Sequence, residues 1–151
     1  MTVYNRLASP GIALPEVNPR VAAFEPWVRS GSQIWLPDDV AREDGKPWVG
    51  KLGDSLGMED GVAAAKFVAI DLLGTLNAAV GDLRQERRIL KIMVLVNSEN
   101  NFTQQHLVAN GAAELLVQEF AEIGHHARSA FGVGQIPLGS CVEIELDAEV
   151  E

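Results

Sequence analysis

The segment ILKIMVLV, residues 89–96, constrains the fold more than any other, because nearly every side chain in it is apolar. A strand that is exposed on one face alternates apolar and polar residues, whereas this run predicts a strand buried on both faces. A chain of 151 residues with two long helices covers one face of its sheet. We therefore expect another subunit to cover the second face.

Two helices are predicted by apolar residues that recur at spacings of three and four. The first spans residues 58–80, with Gly57 as a possible N-cap and Gly81 as a C-terminal stop, and the second spans residues 102–123. Strand-like segments flank them at 24–29, 33–36, 89–96, 129–133 and 141–150. The order β-β-α-β-α-β-β predicts one α+β domain, with a mixed sheet and both helices on one face.

Two segments show no regular pattern and are predicted to be irregular. Residues 1–20 contain three prolines and form an irregular N-terminal arm in this interpretation. Residues 37–57 are polar and rich in Gly, Pro and Asp, which is typical of a long loop.

The segment HARSAFGVGQIPLGSCVEIEL, residues 126–146, has the pattern of two strands around a turn. Arg128 stands at the head of the first strand, and Glu143 and Glu145 stand two residues apart in the second. The guanidinium of Arg128 has three interpretations: it caps the strand, it forms an ion pair with Glu143 or Glu145 of another subunit, or it binds a charged ligand.

Composition excludes several classes of partner. Twelve basic and 21 acidic residues give a formal net charge of −9, so we expect no nucleic-acid or anionic-membrane binding. The single cysteine, Cys141, excludes an intramolecular disulfide. There is no signal-peptide pattern and no run of about 20 apolar residues, so we expect a cytoplasmic protein with no membrane span.

Five stretches carry a family resemblance through most of the chain after residue 20. They are VRSG (28–31), VNS (96–98), NGAAELLVQEF (110–120), GHHARSAFGV (124–133) and PLGSCVEIE (137–145). Together they make the chain resemble the reactive intermediate deaminase family, RidA/YjgF, formerly called L-PSP endoribonuclease, and within it the chorismate-mutase-like subgroup. The resemblance implies a chorismate-mutase-like α+β fold and a homotrimer with sites at the subunit interfaces.

The resemblance also implies an activity and the residues for it. Members that deaminate hydrolyse small enamines and imines of 2-amino acids to a 2-keto acid and ammonia. By position, Arg128 would grip the substrate carboxylate and Glu143 would hold the attacking water, while Phe24, Ser129 and Ala130 would contact the substrate. No metal or cofactor is expected, because an imine carbon is already electrophilic.

The chain departs from the family pattern at three places. Pro37-Asp38-Asp39 stands where active deaminases carry Ser-Gly-Gln, Phe24 stands where a tyrosine is frequent, and Ala130 stands where a cysteine is frequent. Two hypotheses therefore stay open: a deaminase, and a non-catalytic trimer that binds a small carboxylate metabolite. The acidic charge disfavours an endoribonuclease, and chorismate rearrangement rests on fold analogy alone.

Overall fold

The structure is a computed structural model that describes residues 1–16 and 26–151. Phe24, one of the predicted substrate contacts, lies outside the described residues. The helices and strands, in chain order, are α1 (Val3–Ala8), β1 (Val28–Ser30), β2 (Gln33–Val40), β3 (Arg42–Glu43), β4 (Lys46–Pro47), α2 (Met58–Val80), β5 (Glu86–Asn97), α3 (Gln105–Phe120), β6 (Ala127–Val133) and β7 (Val142–Val150).

The main sheet has five strands in the order β1-β2-β7-β5-β6. Strand β5 pairs antiparallel with β7 and parallel with β6, so the sheet is mixed. Helices α2 and α3 pack against each other and against one face of this sheet. The predicted α+β class and the order β-β-α-β-α-β-β of the main elements are confirmed.

Strands β6 and β7 do not form the hairpin that the segment 126–146 indicated. Strand β5 lies between them and pairs with both. A parallel pair needs a long crossover connection, and α3 supplies the one that joins β5 to β6. The short connection after β6, with a single 3-10 turn at Pro137–Gly139, therefore passes over the end of β5 to reach β7.

The N-terminal arm is not wholly irregular, because α1 occupies Val3–Ala8. The Thr2 hydroxyl caps this helix by accepting a hydrogen bond of 3.2 Å from the Asn5 backbone amide. Val3 and Leu7 lie four residues apart on one side of the helix, and both are buried in the core. The prolines that indicated an irregular arm all follow this helix.

The segment 37–57 is also more ordered than predicted. Strand β2 continues through Pro37 to Val40, and β3 and β4 form a two-stranded hairpin. Proline and aspartate are depleted in strands, which is why the sequence pattern stopped β2 at residue 36. A bulge between Leu36 and Asp39 accommodates these residues.

Helix α2 begins and ends where the sequence predicted. The Gly57 amide donates to the Asp60 carboxylate at 2.9 Å, and Gly81 closes the helix with a φ of 79°. Among the described helices, α2 alone has the length and apolar composition that could cross a membrane. Its Leu72, Leu73 and Leu76 side chains are buried in the protein core.

The two long helices approach each other closely at Gly111 of α3. A Cβ atom at this position would lie 2.0 Å from the Val62 carbonyl oxygen of α2. Only a residue without a side chain permits this contact, so Gly111 determines the spacing of the helix layer.

Gly111→Ala is expected to lower the free energy of unfolding by roughly 1–3 kcal/mol or more, because the helices must move apart. Urea denaturation measures the loss. Gly134→Ala is the matched control, since a Cβ atom at Gly134 has no neighbour within 4 Å. Equal stability of the two variants would contradict the close-approach argument.

Candidate functional site

The sheet face turned away from α2 and α3, called here the outer face, carries a row of carboxylates on β7. Along this strand Ile144 and Leu146 point into the core, and Glu143, Glu145 and Asp147 alternate with them on the outer face. Lys91 of β5 pairs with Asp147 and lowers the pKa of both Glu145 and Asp147, although burial raises the pKa of each by more.

The bulge in β2 separates the two aspartates of Pro37-Asp38-Asp39. Asp39 lies opposite Ile144, whose side chain is in the core, and its carboxylate contacts the Arg42 guanidinium at 2.7 Å. Asp38 lies beside Glu143, with which it forms a hydrogen bond. Asp38 therefore joins the outer-face carboxylates, while Asp39 belongs to the helix side of the sheet.

Glu143 is nearly inaccessible, with 6% of its surface exposed. Burial is the largest of the causes that together raise the pKa of its carboxyl group to about 8, and the hydrogen bond and negative charge of Asp38 are the next largest. Two adjacent carboxyl groups share one proton more readily than they carry two charges. The raised pKa of Glu143 favours the protonated form of this carboxyl group at neutral pH.

Arg128 lies on β6, at the edge of the sheet. Its Nη1 donates a hydrogen bond of 2.7 Å to Oδ1 of Asn110 on α3, and its side chain is exposed. Among the described residues no carboxylate lies within salt-bridge distance of Arg128. Arg128 therefore does not pair with Glu143 or Glu145 of its own chain, and an ion pair with either residue of another subunit stays a prediction.

Arg128 and Glu143 lie on opposite faces of the sheet. Arg128 pairs with Ile92, whose side chain is in the core, whereas Glu143 pairs with Leu95, whose side chain is on the outer face. Two strand spacings and a three-residue offset separate their Cα atoms by about 14 Å. One small molecule cannot reach both side chains of the same chain.

The other predicted contacts divide in the same way. Ser129 pairs with Met93 on the outer face, while Ala130 pairs with Val94 and packs against the core. Ala130 is thus on the same side of β6 as Arg128.

The sequence did not reveal two partners in this region. Asn110 orients Arg128 from 18 residues away, and Asp38 shares a hydrogen bond with Glu143 across two strands. Both contacts join residues that are far apart in sequence and that only the folded sheet and helix layer bring together. The spacing of residues along the chain gives no signal for such contacts.

Comparison with known proteins identifies relatives along the whole chain. The model of the family described as "YjgF/chorismate mutase-like, putative endoribonuclease" matches residues 4–150. Protein TCP17 of Trypanosoma cruzi is 41% identical over 143 residues, which cover 93% of this chain and 88% of that protein.

Solved structures share the fold. A protein of unknown function from Agrobacterium tumefaciens, Atu1372, has a TM-score of 0.92 at 32% identity, with 99% of this chain and 94% of that one covered. RidA from an Antarctic Psychrobacter has a TM-score of 0.59 at 22% identity, with 87% and 93% covered, and this likeness concerns the fold alone.

Glu143→Gln is expected to stabilise the protein increasingly as the pH rises. The folded-state pKa of about 8 exceeds the ordinary value of 4.5, so the stability that protonated Glu143 contributes is lost as the pH rises between these values. Glutamine keeps the hydrogen bond to Asp38 and cannot ionise. The gain at pH 9 over pH 5 should be on the order of a few kcal/mol.

Urea denaturation of both proteins at several pH values, at one protein concentration, measures this difference. Glu86, whose pKa burial also raises to about 8, is present in both proteins, so its contribution cancels. Parallel stability curves for wild type and variant would contradict the assignment of a proton to Glu143.

Proposed function

The chain belongs to the YjgF/chorismate mutase-like family, and we propose that it is a cytoplasmic, cofactor-free hydrolase of small 2-imino and enamine acids. In the reaction, water adds to the C=N carbon and the nitrogen gains a proton. Ammonia then leaves, and a 2-keto acid remains. The proposed sites lie in clefts between copies of the chain.

The observation that carries the proposal is that the Arg128 side chain is exposed and that Asn110, a neutral residue, holds it. An exposed guanidinium held by the neutral oxygen of Asn110 keeps its charge and most of its donors available. A planar guanidinium binds a carboxylate through two parallel hydrogen bonds, which both hold and orient an anionic substrate. In this proposal Arg128 is the carboxylate anchor, with Ser129 and Ala130 beside it and Phe24 as a further contact.

The pair formed by Glu143 and Asp38 supplies the proton transfers. Glu143, protonated at neutral pH because of its raised pKa, is suited to donate a proton to the imine nitrogen. Water can then be deprotonated by the same pair as it attacks the carbon. One proton on the pair also reduces its repulsion of the substrate carboxylate.

The proposal requires two copies of the chain in each site, because Arg128 and Glu143 of one chain face opposite ways. The edge strand β6 of one copy would lie over the outer face of the next. Large apolar side chains on that face favour such a contact: Trp35 is 46% exposed and Phe131 is 45% exposed. Three copies arranged head to tail close a ring, which is the homotrimer we propose.

One observation favours a second function, a trimer that binds a small carboxylate metabolite without turning it over. Asp38 and Asp39 replace the Ser-Gly-Gln of active deaminases, and Asp38 occupies a hydrogen bond of Glu143. If Glu143 serves this internal contact alone, Arg128 still binds a ligand while hydrolysis is lost.

Endoribonuclease action fits the site less well. Glu145, Asp147 and Asp38 line a cavity of about 480 Å³ on the outer face. These carboxylates repel a phosphate backbone, and the net charge of −9 adds to that repulsion.

The deaminase activity is tested by generating 2-imino acids with an amino-acid oxidase and trapping them with semicarbazide. The wild-type protein should suppress semicarbazone formation, and Arg128→Ala and Glu143→Gln should not. Arg87→Ala changes an exposed arginine whose side chain forms no hydrogen bond with another described residue, and it should behave as wild type. Thermal stabilisation by a 2-keto acid without turnover, lost in Arg128→Ala, would favour the binding protein instead.

Mixing the two inactive variants tests whether a site combines two copies. In co-refolded trimers, about a quarter of the sites would join an intact Arg128 of one copy to an intact Glu143 of another. Activity should therefore reappear in the mixture at about that fraction. No recovery, despite mixed trimers being present, would contradict a site shared between copies.

Phe131→Glu is expected to yield monomers, because it puts a charge into the proposed contact on the outer face. Phe67→Glu is the matched control: Phe67 is 51% exposed, but it lies on α2 at the opposite side of the sheet. Light scattering measures both masses. A trimeric Phe131→Glu variant, or a monomeric wild type, would contradict the proposed assembly.

A further inference from the structure

A cavity of about 720 Å³ lies beyond the ends of β5 and β6, apart from both Arg128 and Glu143. It is lined by the following described residues: Val49, Gly50, Lys51, Asn97, Gly134, Gln135, Ile136, Pro137, Leu138 and Gly139. Lys51 is the one charged residue among these, and none of them is acidic. The carboxyl ends of parallel strands are frequent ligand sites, and β5 and β6 are such a pair.

Lys51 is held in place by two neutral acceptors. Its Nζ donates hydrogen bonds of 2.8 Å to Oδ1 of Asn97 and 2.6 Å to the carbonyl oxygen of Gly134. An ammonium group has three N–H donors, so one is left for a ligand. No carboxylate among the described residues forms a salt bridge with Lys51, so its charge is not neutralised there.

Asn97 fixes the geometry of this ammonium group. The Asn97 side chain is 5% exposed, and its amide nitrogen donates to the carbonyl oxygens of Gly50 and Ser140, each at 3.2 Å. With both N–H groups used in this way, only the oxygen is available to Lys51. The buried Asn97 side chain, whose hydrogen bonds are all used, therefore holds the Lys51 ammonium group in one position. The side chain of an ordinary surface lysine is not held in this way.

Apart from Lys51, Asn97 and Gln135, the side chains that line the cavity are apolar. Val49 is 62% exposed and Leu138 is 69% exposed, so two aliphatic side chains stand in solvent at the cavity instead of in the core. Leu138 also has a φ of 65°, a backbone conformation that a leucine rarely adopts. An isolated ammonium beside aliphatic surface matches a ligand with one negative charge and a short hydrocarbon chain.

We propose that the Lys51 cavity binds a small aliphatic carboxylate, with the carboxylate on the Lys51 ammonium and the hydrocarbon chain on Val49 and Leu138. A dianion such as phosphate is the less suitable ligand, because one ammonium supplies too few donors for it. This site is independent of the function proposed for Arg128, since the two share no residue.

An NMR titration of the ¹⁵N-labelled full-length protein with sodium 3-methylbutanoate, at constant ionic strength, tests the proposal. The amide signals of Gly50, Lys51 and Gly134 should shift and saturate. Lys51→Gln should weaken binding about tenfold or more, since it removes a charge-assisted hydrogen bond. Lys46→Gln, at an exposed lysine on β4, is the matched control and should bind as wild type does.

Further arms separate the alternatives. Arg128→Ala should leave these shifts unchanged, because Arg128 does not line the Lys51 cavity. The binding result is therefore separate from the deaminase result, and a failed deaminase assay would not contradict this proposal. In wild type, lengthening the probe from acetate towards 3-methylbutanoate should tighten binding by up to about fourfold per carbon. This series decides the question even if Lys51→Gln does not fold. Non-saturating shifts, shifts centred on Arg128 and Asn110, or tighter binding of inorganic phosphate would overturn the proposal.

Discussion

The structure depends on a sheet that the described helices cover on one side only. Strand β5 lies in the interior of this sheet, and its alternation sends Ile92 and Val94 into the core under α2 and α3. The same alternation leaves Met93 and Leu95 half-exposed on the outer face. No helix among the described residues covers this face of the apolar central strand, and exposed apolar surface of this kind favours association between copies.

The outer face carries a row of carboxylates beside this apolar surface. Burial and the neighbouring carboxylates already raise the pKa of Glu143 to about 8 within one chain. In the proposed trimer, a second copy would cover the outer face, remove further water and disfavour the ionised form of Glu143 more strongly. In the proposed trimer, association and proton uptake by Glu143 would therefore be linked, and low pH would favour both.

The spacing of apolar residues and the helix-capping residues predicted those elements whose bounds depend on neighbouring residues in the sequence. Helix α2 has an apolar stripe and glycines at both ends, and β7 alternates apolar and acidic residues, so both were predicted almost to the residue. Two features depended on pairing across the sheet and were missed, namely the insertion of β5 between β6 and β7 and the bulge at Asp38. Of the candidate site, the residue types were predictable, but their faces were not, because a bulge or a change of neighbour reverses which side a residue occupies.

Strand parity therefore decides what Arg128 and Glu143 can do together. They are close in sequence, and a hairpin would have put them side by side, yet the parallel pairing of β6 with β5 turns Arg128 towards α3. Glu143 keeps the outer face because Ile144 and Leu146 must enter the core. Neither side chain can change face without removing an apolar neighbour from the core. The packing of a single chain keeps the two groups apart, so any chemistry that uses both would need a second copy of the chain.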